Sequence, residues 1–229
     1  VLEAGYLIGT LYTVMLPDDT RARLGAYYTP PLLVDRLLKN VDDSGFNWIT
    51  GRILDPAGGG AAFLTPVAQK MLMELKAAGV IEPKMLLRHV STRLCGFEID
   101  AFAAWMSEVI LEASLIKLCI AAKKRLPSMV TVGDALRMPV KNTEKFDLVV
   151  GNPPYGKIKL DSLLRRQYER SLYGHANMYG LFVDIGMRWL NENGLIAYVT
   201  PTSFLGGQYF KALRSLLIKE APPIKMDFI

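Results

Sequence analysis

Short apolar segments alternate with longer amphipathic segments along the chain from Gly51 onward. The short segments predict strands, whose bounds are 52–55, 93–98, 129–132, 146–150 and 195–200, with a sixth strand beginning at 224–229. The longer segments have helical spacing and predict helices at 61–78, 101–122, 177–191 and 208–219. Before Gly51, the pattern predicts a helix over 32–41, just after Pro30, and a short helix within residues 1–20.

Strands that alternate with helices in this way predict an α/β fold. We expect a mostly parallel, twisted sheet with helices on both faces. In such a sheet, ligands bind at the carboxyl ends of the strands, close to the point where the strand order reverses. The residues that follow each predicted strand are therefore the first candidates for chemistry.

Composition narrows the class of protein without identifying a function. The 229 residues are 51% hydrophobic and 21% charged, which is typical of a globular protein and excludes a disordered one. The only cysteines and histidines are Cys95, Cys119, His89 and His175, which form neither a disulfide framework nor a zinc-type spacing. We therefore expect a cytoplasmic protein with no metal. The longest uncharged stretch, 193–210, contains proline, glycines and polar residues, so we expect no membrane span.

The loop after the first strand is rich in glycine. Asp55 ends that strand, and Gly58, Gly59 and Gly60 follow shortly after, where the main chain could pass close to a ligand. A dinucleotide fingerprint would need a third glycine where Phe63 stands. Asp55 would also repel a pyrophosphate, whereas it could accept a hydrogen bond from an ammonium group. A zwitterionic ligand without phosphates fits better than NAD, although the loop alone is also compatible with a tight turn that binds nothing.

Two further acidic residues follow the next strands. Glu98 could accept hydrogen bonds from both hydroxyls of a ribose, or could be a solvated strand end. Asp134 could accept a hydrogen bond from an adenine amine, or could cap a helix. Together with Asp55, these carboxylates match the ammonium, ribose and adenine groups of S-adenosylmethionine, which we predict as the cofactor.

The sequence Asn152-Pro153-Pro154-Tyr155 follows a buried strand and is the most specific feature of the chain. The two prolines remove main-chain donors and stiffen the loop, so carbonyl groups stay free to accept hydrogen bonds. The Asn152 side-chain oxygen and the Pro153 carbonyl could together accept both hydrogens of one NH2 group. Such acceptors would localise the lone pair of a conjugated amine for attack on a methyl group, while Tyr155 could stack on a planar substrate.

These motifs, with Gly-Ala-Tyr-Tyr-Thr-Pro at residues 25–30, occur in the order that one enzyme family shows. Over roughly residues 21–229, the chain resembles the gamma class (TaqI-like) of S-adenosylmethionine-dependent DNA adenine-N6 methyltransferases from restriction–modification systems. The resemblance implies a Rossmann-like class I methyltransferase fold. It also implies transfer of a methyl group to the N6 amine of a flipped-out adenine in DNA.

The resemblance assigns a role to each motif. The residues that would contact the cofactor are Tyr27, Thr29 and Pro30 over its methionine part, Asp55, Ala57 and Gly58 at the methionine end, Glu98 and Ile99 at the ribose and adenine, Asp134 at the adenine amine, Phe182 against the adenine ring, and Asn152 of the Asn-Pro-Pro-Tyr motif. The catalytic residues would be Asn152, Pro153, Pro154 and Tyr155, which would grip the target base with Phe210 as a second aromatic side chain.

The family also suggests how the chain is divided. Residues 1–50 would be a helical extension that carries the Gly-Ala-Tyr-Tyr-Thr-Pro motif, and residues 51–229 the catalytic domain, with the target-recognition domain absent from this stretch. Alternative functions are methylation of an adenine in RNA, methylation of a glutamine amide in a protein, or a cofactor-binding subunit that depends on a separate specificity partner. The Gly-Ala-Tyr-Tyr-Thr-Pro motif argues against the glutamine alternative.

Positive charge is concentrated away from the first fifty residues. The net charge is −2 over residues 1–50 and +7 over residues 51–229, a balance that suits a polyanion such as nucleic acid. A local run of basic residues directly follows the Asn-Pro-Pro-Tyr loop and consists of Lys157, Lys159, Arg165, Arg166 and Arg170. Charge alone would favour a solvated helix face, but next to a site for an extruded base, contact with DNA phosphates is the better interpretation.

Overall fold

A computed structural model describes residues 2–15, 17, 29–140 and 145–228 of the protein, except for the side chains of residues 2–5 and 13. Its α-helices are α1 Leu2–Met15, α2 Pro31–Asp43, α3 Leu64–Ala77, α4 Pro83–Arg93, α5 Ala101–Ser114, α6 Ile116–Ala122, α7 Ser162–Gln167, α8 Met178–Trp189, α9 Ser203–Gly206 and α10 Lys211–Glu220. Its strands are β1 Ile53–Asp55, β2 Leu94–Glu98, β3 Val130–Val132, β4 Phe146–Gly151, β5 Lys157–Ile158, β6 Ala176–Asn177 and β7 Leu190–Tyr198.

Five of the strands form one parallel sheet in the order β3-β2-β1-β4-β7, which confirms the predicted architecture. The chain first builds the sheet outward from β1 through β2 to β3, and then returns to place β4 on the other side of β1. The strand order therefore reverses between β1 and β4. In parallel sheets this is where ligands bind, so the carboxyl ends of these two strands define the place to look for a site.

Helices cover both faces of the sheet because successive strand residues point to opposite sides. Ile53 and Leu148 belong to an apolar cluster with α2, α3, α4 and α5, whereas Leu54 and Val149 belong to a second cluster with α8. All four of these side chains are fully buried. Strands that are apolar on both faces are typical of a parallel sheet between two helical layers.

Helix α2 packs into the first of these clusters. Val34, Leu38 and Val41 recur at helical spacing and are buried against the sheet domain, while Pro31 occupies the first turn, where its missing N–H costs nothing. Thr29 and Pro30, which directly precede α2, are therefore positioned by a well-packed helix. The domain boundary at residue 50 stays a prediction.

The structure corrects two of the predicted elements and adds others that were not predicted. The helix expected over 101–122 is two helices, because Leu115 leaves helical geometry between α5 and α6. The strand expected to begin at 195 starts at Leu190, since Asn193 adopts a left-handed conformation and opens a bulge opposite β4. Helix α4 and the short antiparallel pair of β5 and β6 carry no strong sequence signal and were not predicted.

The sixth strand predicted at 224–229 is also wrong for the residues described, since 224–228 are not in a strand. This segment lies along α2 instead. Asp227 accepts hydrogen bonds from Arg36 at 3.0 Å and Asn40 at 2.9 Å, and Lys225 forms an ion pair with Asp43 at 3.0 Å. These polar contacts hold the segment on the helix. Its main chain therefore does not extend the sheet, and its apolar side chains remain exposed.

Candidate active site

Asp55 is the most deeply buried carboxylate at the strand ends. It closes β1, is 1% exposed, and accepts a hydrogen bond from the main-chain N–H of Ala57 at 3.0 Å. Burial raises the pKa of Asp55 to about 7; the Ala57 N–H opposes this rise and the nearby Glu98 carboxylate adds to it. A cationic group that binds next to Asp55 would therefore stabilise the ionised form of its carboxylate.

Gly151 allows this placement of Asp55. It ends β4 directly beside β1, and a Cβ atom added to Gly151 would lie 2.7 Å from the Asp55 carboxylate oxygen Oδ1. Any larger residue would push the carboxylate away from the boundary between the two strands. The strand-order reversal thus brings together an acid from β1 and the residue that precedes Asn152.

Glu98 organises the glycine loop from the neighbouring strand. Its two carboxylate oxygens accept hydrogen bonds from the N–H groups of Gly59 and Asp100, each at 2.9 Å. Burial raises the pKa of Glu98, although these two N–H groups oppose the rise. A Cβ at Gly59 would meet nothing within 4 Å, so the protein's own packing leaves open space beside Glu98.

Other residues predicted to contact the cofactor are Gly58 at the methionine end and Ile99, Asp134 and Phe182 on the adenosine side. Gly58 donates to the Phe97 carbonyl at 2.8 Å, and Ile99 is exposed just after β2. Asp134 caps the short helical turn at 135–137 by accepting from the Leu136 N–H at 3.0 Å. Phe182 of α8 is buried in the cluster that includes Ala57 and Leu136.

The Asn-Pro-Pro-Tyr loop leaves the carboxyl end of β4. The Asn152 Nδ2 donates to the hydroxyl of Thr29 at 3.0 Å, and the Tyr155 hydroxyl donates to Asn152 Oδ1. Pro153 is buried, while Asn152, Pro154 and Tyr155 are partly exposed. Burial raises the pKa of Tyr155, although its bond to Asn152 opposes the rise, so the phenol stays protonated at neutral pH.

Two further aromatic rings lie beside this loop. The ring of Tyr179 in α8 lies edge-on to Tyr155 at 6.4 Å between centroids and stacks on Phe210 at 4.9 Å. The Tyr179 hydroxyl is 2.9 Å from the hydroxyl of Ser203, and Tyr179 and Phe210 are both largely buried. Phe210 thus shares a cluster with Tyr155, and Tyr179 contacts both rings. Tyr179 was not among the predicted site residues, although its spacing of three from Phe182 on one helix was a signal.

Thr29 and Pro30 directly precede α2, and the Thr29 hydroxyl accepts the hydrogen bond from Asn152 Nδ2. Thr29 is 4% exposed and, with Tyr6, Asp35, Gly60 and Thr65, lines a cavity between α1, α2 and the glycine loop. Pro30 is exposed and precedes α2. Tyr27, the third residue predicted in this segment, lies outside the described residues.

The basic run after the loop divides into two groups. Lys157, Lys159, Arg165 and Arg166 are exposed on β5, the following turn and α7. Arg170 differs, because it donates to the fully buried Asp184 at 2.7 Å and to Glu220 at 2.9 Å. Arg170 therefore balances a buried charge, and its interpretation as a phosphate contact is not supported.

Neither a metal cluster nor a membrane helix is found in the described parts of the chain. No group of three or more His, Cys, Asp or Glu side chains there is arranged to hold a metal ion. Within the same ranges, none of the helices combines the length and the apolar character needed to cross a bilayer.

Comparison with known proteins decides the family. The model of the Eco57I restriction-modification methylase family matches residues 98–227, which is more than half of the chain. The chain belongs to this family. The matched residues include Glu98, Asp134, the Asn-Pro-Pro-Tyr loop and the aromatic cluster, and the resemblance to restriction–modification methylases is confirmed.

Individual relatives agree with the family assignment. The chain is 28% identical over 206 residues to the type II methyltransferase M.BstVI of Geobacillus stearothermophilus, in an alignment that covers 84% of this chain and 36% of M.BstVI. It is 27% identical over 171 residues to M.PaeR7I of Pseudomonas aeruginosa, with 72% of this chain and 29% of that protein covered. The chain therefore spans about a third of the length of these relatives.

A solved structure confirms the fold. The ATP-dependent type ISP restriction-modification enzyme LlaBIII, solved bound to DNA, has a TM-score of 0.72 and 19% identity, covering 93% of this chain and 18% of LlaBIII. The predicted mostly parallel sheet with helices on both faces is thus confirmed.

Proposed function

We propose that this methylase transfers a methyl group from S-adenosylmethionine to the N6 amine of an adenine in DNA, as the modification activity of a restriction–modification system. The observation that carries the proposal is the position of the Asn152 amide. It follows Gly151 at the reversal of strand order, where Gly151 abuts the buried Asp55, and its neighbour Tyr155 belongs to the aromatic cluster. In this proposal, Asn152 would accept the amine hydrogens, Asp55 would bind the cationic group, and the aromatic cluster would offer a surface for a flat base.

The residues around Asp55 suit S-adenosylmethionine, which when bound supplies an electrophilic methyl group. Asp55 would accept from the ammonium group, since a nearby cation would favour its ionised form. Glu98 would face the ribose across the open space at Gly59. Ile99 offers exposed apolar surface for the adenine, with Asp134 and Phe182 on the same side. Ala57 and Gly58 would line the methionine end, closed by Tyr27, Thr29 and Pro30.

The acceptor loop would act on the amine of the target base. Asn152 Oδ1 and the Pro153 carbonyl would each accept one hydrogen of the NH2 group, because prolines supply no competing main-chain donor. With both hydrogens held, the nitrogen lone pair is drawn out of conjugation with the ring and becomes the nucleophile. Catalysis would then rest on positioning and on preorganised acceptors, and the proton could leave after methyl transfer.

An adenine inside a duplex cannot reach this loop, so the base must be flipped out at a cost of roughly a few kcal/mol. Tyr155 would stack on the extruded base, with Tyr179 and Phe210 as the aromatic support behind it. The exposed Lys157, Lys159, Arg165 and Arg166 lie just beyond the loop and would contact DNA phosphates. LlaBIII is solved bound to DNA, which supports DNA as the substrate of this methylase as well.

Reading of the DNA sequence would come from outside the described residues. The chain spans about a third of M.BstVI, so in the whole protein or assembly a target-recognition domain or a separate specificity subunit would select the site. The catalytic part alone would supply cofactor binding and methyl transfer.

The test is mass spectrometry of nucleosides from the DNA of adenine-methylation-deficient cells that express the complete protein containing this chain. We expect N6-methyladenine with the wild type and none with Asn152→Ala. Cofactor affinity of the Asn152→Ala variant, measured by calorimetry, should stay within about threefold, because Asn152 is proposed to act on the amine of the base.

Other outcomes would point elsewhere. If Asn152→Ala loses cofactor binding and methyl transfer equally, the role assigned to the amide is wrong. If DNA stays unmodified while the wild type binds S-adenosylmethionine, the same mass spectrometry on RNA and on glutamine residues of protein would test the two alternative acceptors.

A further inference from the structure

The amide of Asn152 is held at both of its ends by side chains. Its Nδ2 donates to the Thr29 hydroxyl, which lies 123 residues earlier in the chain, and its Oδ1 accepts from the Tyr155 hydroxyl. We propose that Thr29 is a positioning residue that fixes the orientation of this amide, in addition to the cofactor contact that the family resemblance implies. The inference rests on the function proposed above.

The main chain around Asn152 is restrained, but its side-chain amide could still rotate. The Gly151 carbonyl accepts from the Val199 N–H at 3.0 Å, which ties the start of the loop to β7, and the φ angles of Pro153 and Pro154 are fixed by their rings. A rotation of the amide by half a turn would exchange Oδ1 and Nδ2. The substrate amine would then face the two N–H groups of Nδ2 in place of Oδ1. Those groups cannot accept a hydrogen bond from it, so one of the two required hydrogen bonds would be lost.

Thr29 is suited to prevent this rotation because it is anchored. It is 4% exposed, and the next residue, Pro30, accepts hydrogen bonds at the start of α2, whose buried face packs into the core. The Tyr155 phenol is a good donor and favours Oδ1 as its partner. Thr29 then meets Nδ2 and accepts from it. That bond also polarises the amide and strengthens Oδ1 as an acceptor, as expected for linked hydrogen bonds.

The arrangement couples two events that the sequence motifs suggest separately. Thr29 and Pro30 would contact the cofactor, and Thr29 also orients the group that receives the target amine. A correctly oriented acceptor would therefore require Thr29 to be in place.

The test compares Thr29→Val, which keeps the shape of the side chain but removes the hydroxyl, with Thr29→Ser, which keeps the hydroxyl. Thr65→Val is the matched control, because Thr65 is 1% exposed, lines the same cavity, and its hydroxyl has no hydrogen-bond partner among the described residues. The single-turnover rate of methyl transfer to unmodified DNA is measured with the complete protein at saturating S-adenosylmethionine, together with the dissociation constant of the cofactor.

We expect Thr29→Val to lower this rate about tenfold, the scale of one lost hydrogen bond. Thr29→Ser should restore the rate to within about threefold of wild type, and Thr65→Val should not change it. If Thr29→Val instead weakens cofactor binding and leaves the rate at saturation unchanged, Thr29 is only a cofactor contact and the proposal is overturned. Failure of Thr29→Ser to restore the rate would also overturn it, since packing of the methyl group would then be responsible.

A second measurement does not depend on activity. The side-chain NH2 signals of Asn152 can be identified in the cofactor-free protein by their loss in Asn152→Ala, and their hydrogen exchange can be followed by NMR. Exchange should become about tenfold faster in Thr29→Val and stay unchanged in Thr65→Val. Equal exchange rates in Thr29→Val and wild type would refute the bond itself, whereas absence of methyl transfer by the wild type would refute only the proposed function.

Discussion

The two sides of the site are held together in different ways. On the side of β1, β2 and β3, the carboxylates of Asp55, Glu98 and Asp134 accept hydrogen bonds from main-chain N–H groups of their own loops and of the glycine loop. On the side of β4 and β7, the functional groups are held by other side chains. Asn152 is hydrogen-bonded to Thr29 and Tyr155. Tyr179 is hydrogen-bonded to Ser203 and stacked on Phe210.

This difference has a physical consequence. Main-chain groups are fixed by the strands and turns from which they project, so the cofactor side should tolerate most substitutions around it and fail only when a carboxylate changes. Side-chain contacts depend on single atoms from distant segments, so the acceptor side should respond to the loss of one hydroxyl. Substitutions that change one side without the other are therefore the sharpest tests.

The largest effect is expected from the ionisation of Asp55. Its pKa is about 7 in the folded protein and 3.8 as its ordinary value, so the folded state binds the proton more tightly. Its contribution to stability is full below pH ~4 and is lost as the pH rises through ~7. The free energy of unfolding of the cofactor-free protein should fall by about 3 kcal/mol between pH 5 and pH 8, relative to Asp55→Asn. Urea unfolding across this range measures the difference, and a flat difference would show that the carboxylate is already ionised.

Gly151→Ala should disturb the boundary between the two sides. The new Cβ would lie 2.7 Å from Asp55 Oδ1, so the carboxylate must move. We expect a stability loss of about 2 kcal/mol, typical of overpacking, and a roughly tenfold weaker binding of S-adenosylmethionine. Gly206→Ala is the control, because a Cβ there meets nothing within 4 Å. Unchanged cofactor affinity in Gly151→Ala, measured by calorimetry, would contradict the role of Asp55 in binding.

The smallest effect is expected from Tyr179→Phe. The variant loses the contact with the Ser203 hydroxyl but keeps the ring that stacks on Phe210. Stability should fall by about 1 kcal/mol and methyl transfer by about threefold, with cofactor affinity unchanged. The exposed Tyr173 provides the control Tyr173→Phe. If Tyr179→Phe weakens cofactor binding as much as transfer, the two sides are not independent.

Features of the site that depend on neighbours in the sequence were predictable. Apolar runs predicted the parallel sheet, and the polar residues after them predicted Asp55, Glu98 and Asn152 as strand-end groups. The contacts between distant segments were not predictable, because no spacing in the sequence indicates that Thr29 meets Asn152 or that Tyr179 meets Ser203. Arg170 was misread for the same reason: its partner Asp184 lies on a helix that packs against it only in three dimensions. The apolar residues after Pro223 predicted a strand, yet polar contacts with α2 hold that segment away from the sheet.

The contact between residues 225–227 and α2 has a consequence for the order of folding. It joins side chains that are 182, 187 and 191 positions apart, so nearly the whole described chain forms one closed loop. Contacts of such separation are among the last to form, because the intervening chain must first become compact. Exposed ion pairs contribute little to stability and are screened by salt, so this closure is weak and sensitive to ionic strength. Helix α2, which positions Thr29, is thus held by contacts with residues 225–227, which are among the last of the described residues to be synthesised.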